Sequence, residues 1–359
     1  MAYTNIDDPS AHFQTLVFTG TGGLNLPVTH TNTGNSDLQP DLIWFKDRGA
    51  GYSHAIMDSS RGRAKVIYPD VVNSEASSGA NDDLVSFDTD GFKVGAPSSA
   101  NSTNGGTTSK VAWQWKANAG TTSSNTDGNI TSTVQSNQDA GFSIVTYTGN
   151  GSNNQTIGHG LGVQPSWWIV KRRDSTGDWW FGASSILGGT SNYLKLNSEA
   201  INAESNNIWG DSPTSSTLFR VSNNAGLNAS GGTYVAYLFA NKQGYSKFGK
   251  YVGNTNTDGA FVYTGFKPAF VLIKKYTTSA DSWVILDTAR NPYNGMDARL
   301  FPDLANSEST SQVLIDSLSN GFKMRTADTA YNGSGVSYIY MAFAESSFVT
   351  SSGIPTTAR

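Results

Sequence analysis

The chain has 359 residues, with 28 acidic and 24 basic side chains for a formal net charge of −4, no Cys, and 9 Trp, 15 Tyr and 17 Phe. That aromatic content excludes a disordered chain, and the lack of Cys excludes disulfides and thiolate metal sites. The acidic balance argues against a nucleic-acid partner, which needs a basic face.

Residues 1–10 read as an N-terminal arm. Its start, Met1-Ala2-Tyr3-Thr4-Asn5, has neither the basic nor the apolar region of a signal peptide. No apolar run approaches the ~20 residues of a membrane helix. The expectation is a soluble product made in a cytoplasm, without membrane insertion.

A first unit spans 11–118. It opens on a short strand, Leu16-Val17-Phe18-Thr19-Gly20. Pro40-Asp41-Leu42-Ile43-Trp44-Phe45-Lys46 is apolar on both faces, which predicts a central strand covered on both sides. Asn73-Ser74-Glu75 follows. The best helix candidate, Ser74 to Leu84, is rich in Ser, Gly and Asn, which favour turns. Asp88-Thr89-Asp90-Gly91 resembles the start of a calcium loop, but position twelve is Ser99 where a Glu is needed. A hairpin turn in which Gly91 supplies a positive φ is the preferred reading. Gly91-Phe92-Lys93-Val94, a Gly-rich loop and the aromatic strand Val111-Ala112-Trp113-Gln114-Trp115 close the unit.

Residues 119–140 read as a linker, because Ala119 to Gly128 is almost free of apolar side chains. Thr126-Asp127-Gly128 is a turn of the same kind as Asp88–Gly91, and so is Thr257-Asp258-Gly259. The second unit, 141–244, and the third, 245–346, repeat the landmarks of the first in the same order. The opening strands are Val145-Thr146-Tyr147-Thr148-Gly149 and Tyr251-Val252-Gly253. The Pro-to-Lys runs are Pro165 to Lys171 and Pro268 to Lys274. Asn-Ser-Glu returns as Asn197-Ser198-Glu199 and Asn306-Ser307-Glu308. From each Pro the Asn lies 33, 32 and 38 residues on. The closing strands are Tyr234 to Phe239 and Tyr338 to Phe343. Hardly any spacer separates units two and three, so they should pack as the closer pair. Residues 347–359 form a C-terminal tail.

Three matches in one order argue for internal triplication. A unit near a hundred residues is too long for a solenoid repeat and long enough for its own core. Short strands between Gly, Asn, Asp and Pro clusters predict an all-β chain of three tandem divergent β-sandwich domains, jelly-roll or concanavalin-like, arranged as separate beads.

Reactive constellations are scarce. The four His (His12, His30, His54, His159) form no metal-spaced pair, and no G-x-S-x-G elbow occurs. The expectation is no enzyme and no cofactor. Glu75, Glu199 and Glu308 are candidate ligands for a polar surface, against the preferred reading of loops whose Asn and Ser satisfy local backbone. Asp58–Arg61 and Asp287–Arg290 are candidate charge-assisted pairs that fix a loop, absent from the second unit, where Ala183 to Leu187 stand. Lys171-Arg172-Arg173 is expected to cap a strand end. Most aromatic rings should lie in cores, but Asp178-Trp179-Trp180 and Trp209 are dense enough to be a candidate glycan or protein site.

Several segments resemble predicted phage tail proteins. They include Gly158-His159-Gly160-Leu161-Gly162-Val163-Gln164-Pro165, Gly244 to Tyr251, Phe261 to Val271, Asp287-Thr288-Ala289-Arg290-Asn291-Pro292 and Leu318 to Lys323. The opening, Ile6-Asp7-Asp8-Pro9-Ser10 with Phe13-Gln14-Thr15, fits the same pattern, so the resemblance covers nearly the whole chain. It implies a structural virion component of marine and cyanobacterial phages, assembled in the host cytoplasm, and brings no catalytic residues. A tail fibre or fibre adaptor that contributes to host attachment is the leading expectation. A capsid decoration or head-spike protein is the runner-up, and a glycan-degrading tail enzyme a distant third. Expected partners are other virion proteins of the tail or capsid and a host surface glycan or protein. A homo-oligomer, with a trimer compatible, is also expected. The first unit is expected to face the virion, since the linker follows it.

Overall fold

The computed structural model describes residues 3–22, 26–79, 81–97, 101–205 and 207–356. One four-stranded antiparallel motif occurs in it three times. An opening strand (Phe13–Thr19, Phe142–Thr148 or Ser246–Val252) pairs with a closing strand (Ser109–Trp115, Thr233–Phe239 or Ser337–Ser347). The closing strand also pairs with the Pro-to-Lys strand (Leu42–Asp47, Trp167–Arg172 or Phe266–Lys275), which carries a fourth strand (Ala55–Asp58, Trp179–Gly182 or Val284–Asp287). Register repeats with topology. Trp115 faces Phe13 and Leu42, Phe239 faces Phe142 and Trp167, and Phe343 faces Ser246 and Phe270. Pro268 sits at a bulge, where the missing N–H costs no ladder bond.

The Pro-to-Lys strands are buried on both faces, and the period-two alternation of side chains sends successive residues into different cores. Ile43 and Phe45 face a core of the first unit, Trp168 and Val170 one of the second, and Val271 and Ile273 one of the third. A smaller layer covers each of these cores, with Gly91–Val94, Leu218–Val221 or Gly321–Met324 paired to its neighbours. The opposite faces of all three sheets meet in one common core. Trp44, Trp113 and Trp115 reach it from the first unit, Trp167, Tyr237 and Phe239 from the second, and Phe270, Met341 and Phe343 from the third. Trp115, Phe239 and Phe343 hold the same place in their units and touch pairwise, with ring centroids 5.7–6.4 Å apart.

This common core revises the picture of separate beads. Units one and three, distant in sequence, pack as closely as units two and three: Phe13 stacks on Phe343 at 5.1 Å. The segment 119–140 is no free linker. Buried Asp41 accepts hydrogen bonds from the backbone N–H groups of Ala117 (2.7 Å), Ala119 (2.9 Å) and Gly120 (2.7 Å), fixing its start. Ser123–Asn125 and Ser132–Asn137 then join the second unit's sheet, which Asn192–Lys195 and Ala203–Glu204 extend on its other side to eight strands. The arm and tail are also packed. Ile6 lies in the common core, the closing strand of unit three runs on to Ser347, and Asp7 accepts from the backbone N–H of Ser351 at 2.6 Å. The helix candidate at 74–84 contains the short strand Ala76–Ser77 instead.

The loop before each closing strand carries a single helical turn: Asn101–Asn104, Ala225–Asn228 and Thr329–Asn332. Each turn ends on a fully buried Asn, eleven residues before Trp115, Phe239 or Phe343. The side-chain oxygens of Asn104, Asn228 and Asn332 accept from the backbone N–H of Thr21, Asn150 and Asn254, just beyond the opening strands. The glycine before each donor, Gly20, Gly149 or Gly253, allows this approach. A Cβ on Gly149 would lie 2.4 Å from the carbonyl oxygen of Ala229, and one on Gly253 2.4 Å from that of Gly333.

Candidate functional site

The recurring polar landmarks lie at the seams between units, and the seams repeat in a cycle. Unit one reaches unit three, unit two reaches unit one, and unit three reaches unit two. The Lys that ends each Pro-to-Lys run is buried, and its ammonium donates to carbonyl oxygens in its own and a neighbouring unit. Lys46 donates to Tyr52 (2.6 Å) and Ala305 (3.0 Å), Lys171 to Gly177 (2.5 Å) and Val72 (3.0 Å), and Lys274 to Asp281 and Glu199. Burial pushes all three ammonium groups down to about 8. At the first residue of the fourth strand, or one residue before it, a ring N–H makes a second seam bond. Trp179 donates to the carbonyl of Tyr68 (2.8 Å), and Trp283 to that of Lys195 (3.0 Å). His54 fills this place in unit one. The indole N–H of Trp44 donates to its Nδ1, so Nε2 carries the proton and donates to the carbonyl of Phe301 at 2.9 Å. Burial, with Lys46 nearby, holds His54 far below its ordinary value and neutral.

The landmark glutamates complete the seams. Glu308 accepts from Arg48 of unit one (2.7 and 2.9 Å) and from Arg290 of its own unit (2.8 Å). Glu75 accepts from Arg173 of unit two (2.9 and 3.1 Å) and from Arg61 of its own unit (3.1 Å). Burial opposes ionisation of both carboxyls, but the guanidiniums outweigh it and hold them below the usual range. The predicted Asp–Arg pairs are present and part of the same network: Arg61 binds Asp58, and Arg290 binds Asp287 at 2.6 Å. Each Asp also accepts across a seam, Asp58 from the Tyr237 hydroxyl (2.6 Å) and Asp287 from the Trp113 indole (2.9 Å).

The seam between units three and two lacks this network as a set. Ala183 stands for the Asp, Met341 for the Tyr or Trp that would donate to it, and Tyr276 for the Arg. The Glu place is taken by Asn202, whose backbone N–H donates to the carbonyl of Tyr276 at 3.1 Å, as those of Glu75 and Glu308 donate to Arg173 and Arg48. Glu199, expected as the third copy, lies three residues earlier, where Val72 and Ala305 stand, and accepts from the Ser282 hydroxyl at 3.0 Å. Removing one member would strand a buried charge, whereas replacing all of them with apolar groups of fitting shape costs little.

The glutamates are thus not brought together; each serves a different seam. The tryptophan candidate is corrected. Trp179 is fully buried in the common core, and Trp209 is 1 % exposed against Trp168. Trp180, 8 % exposed, packs on Tyr193 with Lys195 above its ring. None of the three offers a ring face to a ligand. Asp88–Gly91 is the turn of a hairpin, with Gly91 at φ 100°. Lys171-Arg172-Arg173 ends its strand, with Arg172 on Asp174 and Arg173 on Glu75. Among the described residues no group of three or more His, Asp or Glu is placed to hold a metal ion.

A family described as a domain of unknown function, DUF7483, matches residues 8–347. The chain belongs to the DUF7483 family. The DUF7483 match runs through all three units without a break, as the common core does. No curated protein and no solved structure matches the chain. Sequence reasoning missed Asn104, Asn228 and Asn332, although their constant spacing to the closing strands was legible. It also missed the cross-unit partners of the landmarks, for which spacing along the chain carries no signal.

Proposed function

We propose that this chain is a structural protein of a phage virion surface, a tail fibre or fibre adaptor that contributes to host attachment. In this reading three tandem β-sandwiches, jelly-roll or concanavalin-like in form, are copies of one ancestral unit. The observation that carries it is the cyclic closure of the seams. Buried Lys, Arg, Asp and Glu are committed to holding three units as one rigid block, which suits a load-bearing part. The segments that resemble phage tail proteins support the same assignment. Closure also lets one chain fill a position that a homotrimer would otherwise occupy. The compact common core favours a second reading, a capsid decoration or head-spike protein, over a long fibre.

Peptide mass spectrometry of purified particles, with antibody labelling under the electron microscope, tests both. Label on the tail is the expected result, and label on the head selects the second reading. Absence from purified particles refutes both. The reading includes no reaction, and turnover of envelope sugars by the purified chain would refute that part.

A further inference from the structure

We propose that the outer face of the third unit binds an acidic polysaccharide, with Phe261 and Tyr263 as its ring platform and Lys247 as its cation. The three copies act as controls for one another. The strand Phe261–Tyr263 pairs Val262 with Phe322. The same register pairs His30 with Phe92 and Ile157 with Phe219, so Thr29 and Thr31 of unit one, and Thr156 and Gly158 of unit two, occupy the places of Phe261 and Tyr263. The framework therefore needs no aromatic ring at either place. Phe261 and Tyr263 are nevertheless 48 % and 55 % exposed, side by side on one face of the strand. Lys247 shows the same departure: its register equivalents are buried Gln14 and Ser143.

Beside the rings lies a cleft of about 300 Å³, lined by Tyr3, Lys242, Gln243, Lys247, Tyr263 and Thr264 among others. Amides and hydroxyls supply both donors and acceptors. Among the described residues no Asp or Glu lines it, and two lysines do, in a chain of net negative charge. Asp139 faces Lys242 from outside the cleft. Tyr3 stands 3.5 Å from Tyr263, hydroxyl to hydroxyl, and donates to the carbonyl of Gly265 at 2.7 Å. It covers the end of the strand, which obstructs the addition of a partner strand there. Two rings are also too little apolar area for a stable protein interface. Aromatic faces suit the apolar face of a pyranose, and lysines suit its carboxylate.

Full-length protein is run through native gels containing alginate, hyaluronan or pectate. Dextran supplies pyranose rings without charge, and polyglutamate supplies charge without rings. At least one polyuronate should retard the chain at concentrations where dextran and polyglutamate do not. The double variant Phe261→Thr/Tyr263→Thr should weaken that binding about tenfold or more. Lys247→Gln should weaken it and flatten its salt dependence. Both variants should keep the parent unfolding temperature, because the side chains lie outside the cores. No retardation by any polyuronate overturns the proposal. So does equal retardation by dextran or polyglutamate, or an unchanged affinity in folded variants. The site does not depend on the virion reading: detection in particles and retardation in gels succeed or fail separately.

Discussion

Asp303→Asn should stabilise this protein, and only above acidic pH. Asp303 is 6 % exposed, and neither carboxylate oxygen has a well-formed hydrogen bond; only its own backbone N–H and the Ser282 hydroxyl approach the carboxylate. Burial raises it to about 7, outweighing its own backbone N–H, the Lys274 ammonium and the Ser282 hydroxyl, all of which favour the charged form. An unfolded Asp titrates near 3.9, so the folded value lies about 3 units higher, an upper bound of about 4 kcal/mol. Loss of hydrogen bonds by a buried polar group suggests about 1–3 kcal/mol. The sign follows from proton linkage. Below pH ~4 both states are protonated and the group costs nothing; the cost grows as pH rises from 4 to 7 and is complete above that. The molecule contains its own precedent. The carbonyls of Tyr68, Lys195 and Phe301 accept the equivalent seam bonds, so Asp70, Asn197 and Asp303 occupy one place. Asn197 is satisfied there, accepting from the backbone N–H of Trp179 at 2.8 Å and donating to Asp178 at 3.0 Å. Urea unfolding of the parent and Asp303→Asn at pH 4, 6 and 8 is the assay. The expected gain is about 2–4 kcal/mol at pH 8, shrinking towards zero at pH 4. A variant less stable than the parent at pH 8, or a gain independent of pH, would refute the reasoning.

Glu308→Ala leaves the Arg290 side chain, fully buried, without one of its two carboxylates, and should cost about 3–5 kcal/mol in chemical denaturation. A double-mutant cycle of Asp58→Asn and Tyr237→Phe should show coupling of about 1–3 kcal/mol, because the hydroxyl donates to the carboxylate across the seam. Additive losses would remove that contact. Residues 1–118 expressed alone should not give a dispersed NMR spectrum. Phe13, Trp44, Trp113 and Trp115 would lose their partners, a loss on the order of 10 kcal/mol at roughly 1.5–3 kcal/mol per ring, comparable to the whole stability of a domain. Gly149→Ala would set a methyl 2.4 Å from the Ala229 carbonyl and should lower the unfolding temperature, at a cost of about 1–3 kcal/mol.

The sequence by itself misplaced the Asn-Ser-Glu of unit two by three residues, but it determined the all-β character, the doubly buried Pro-to-Lys strands and the order of the recurring strands. Each of these is written in local patterns: alternation, turn residues and spacing. The Asp58–Arg61 and Asp287–Arg290 pairs belong here too, since three residues of separation keep the partners close. Tertiary structure alone decided what the landmarks are for. Lys46 meets Ala305, Glu75 meets Arg173, and Trp113 meets Asp287, each across a seam that no local pattern encodes. The same holds for Trp179 and Trp209. An aromatic ring carries no mark of whether its neighbours in space are water or another sheet. The sequence required a cover for the second face of each sheet without saying what it was; tertiary structure made the three sheets cover one another, since burying their apolar faces together removes all three from water.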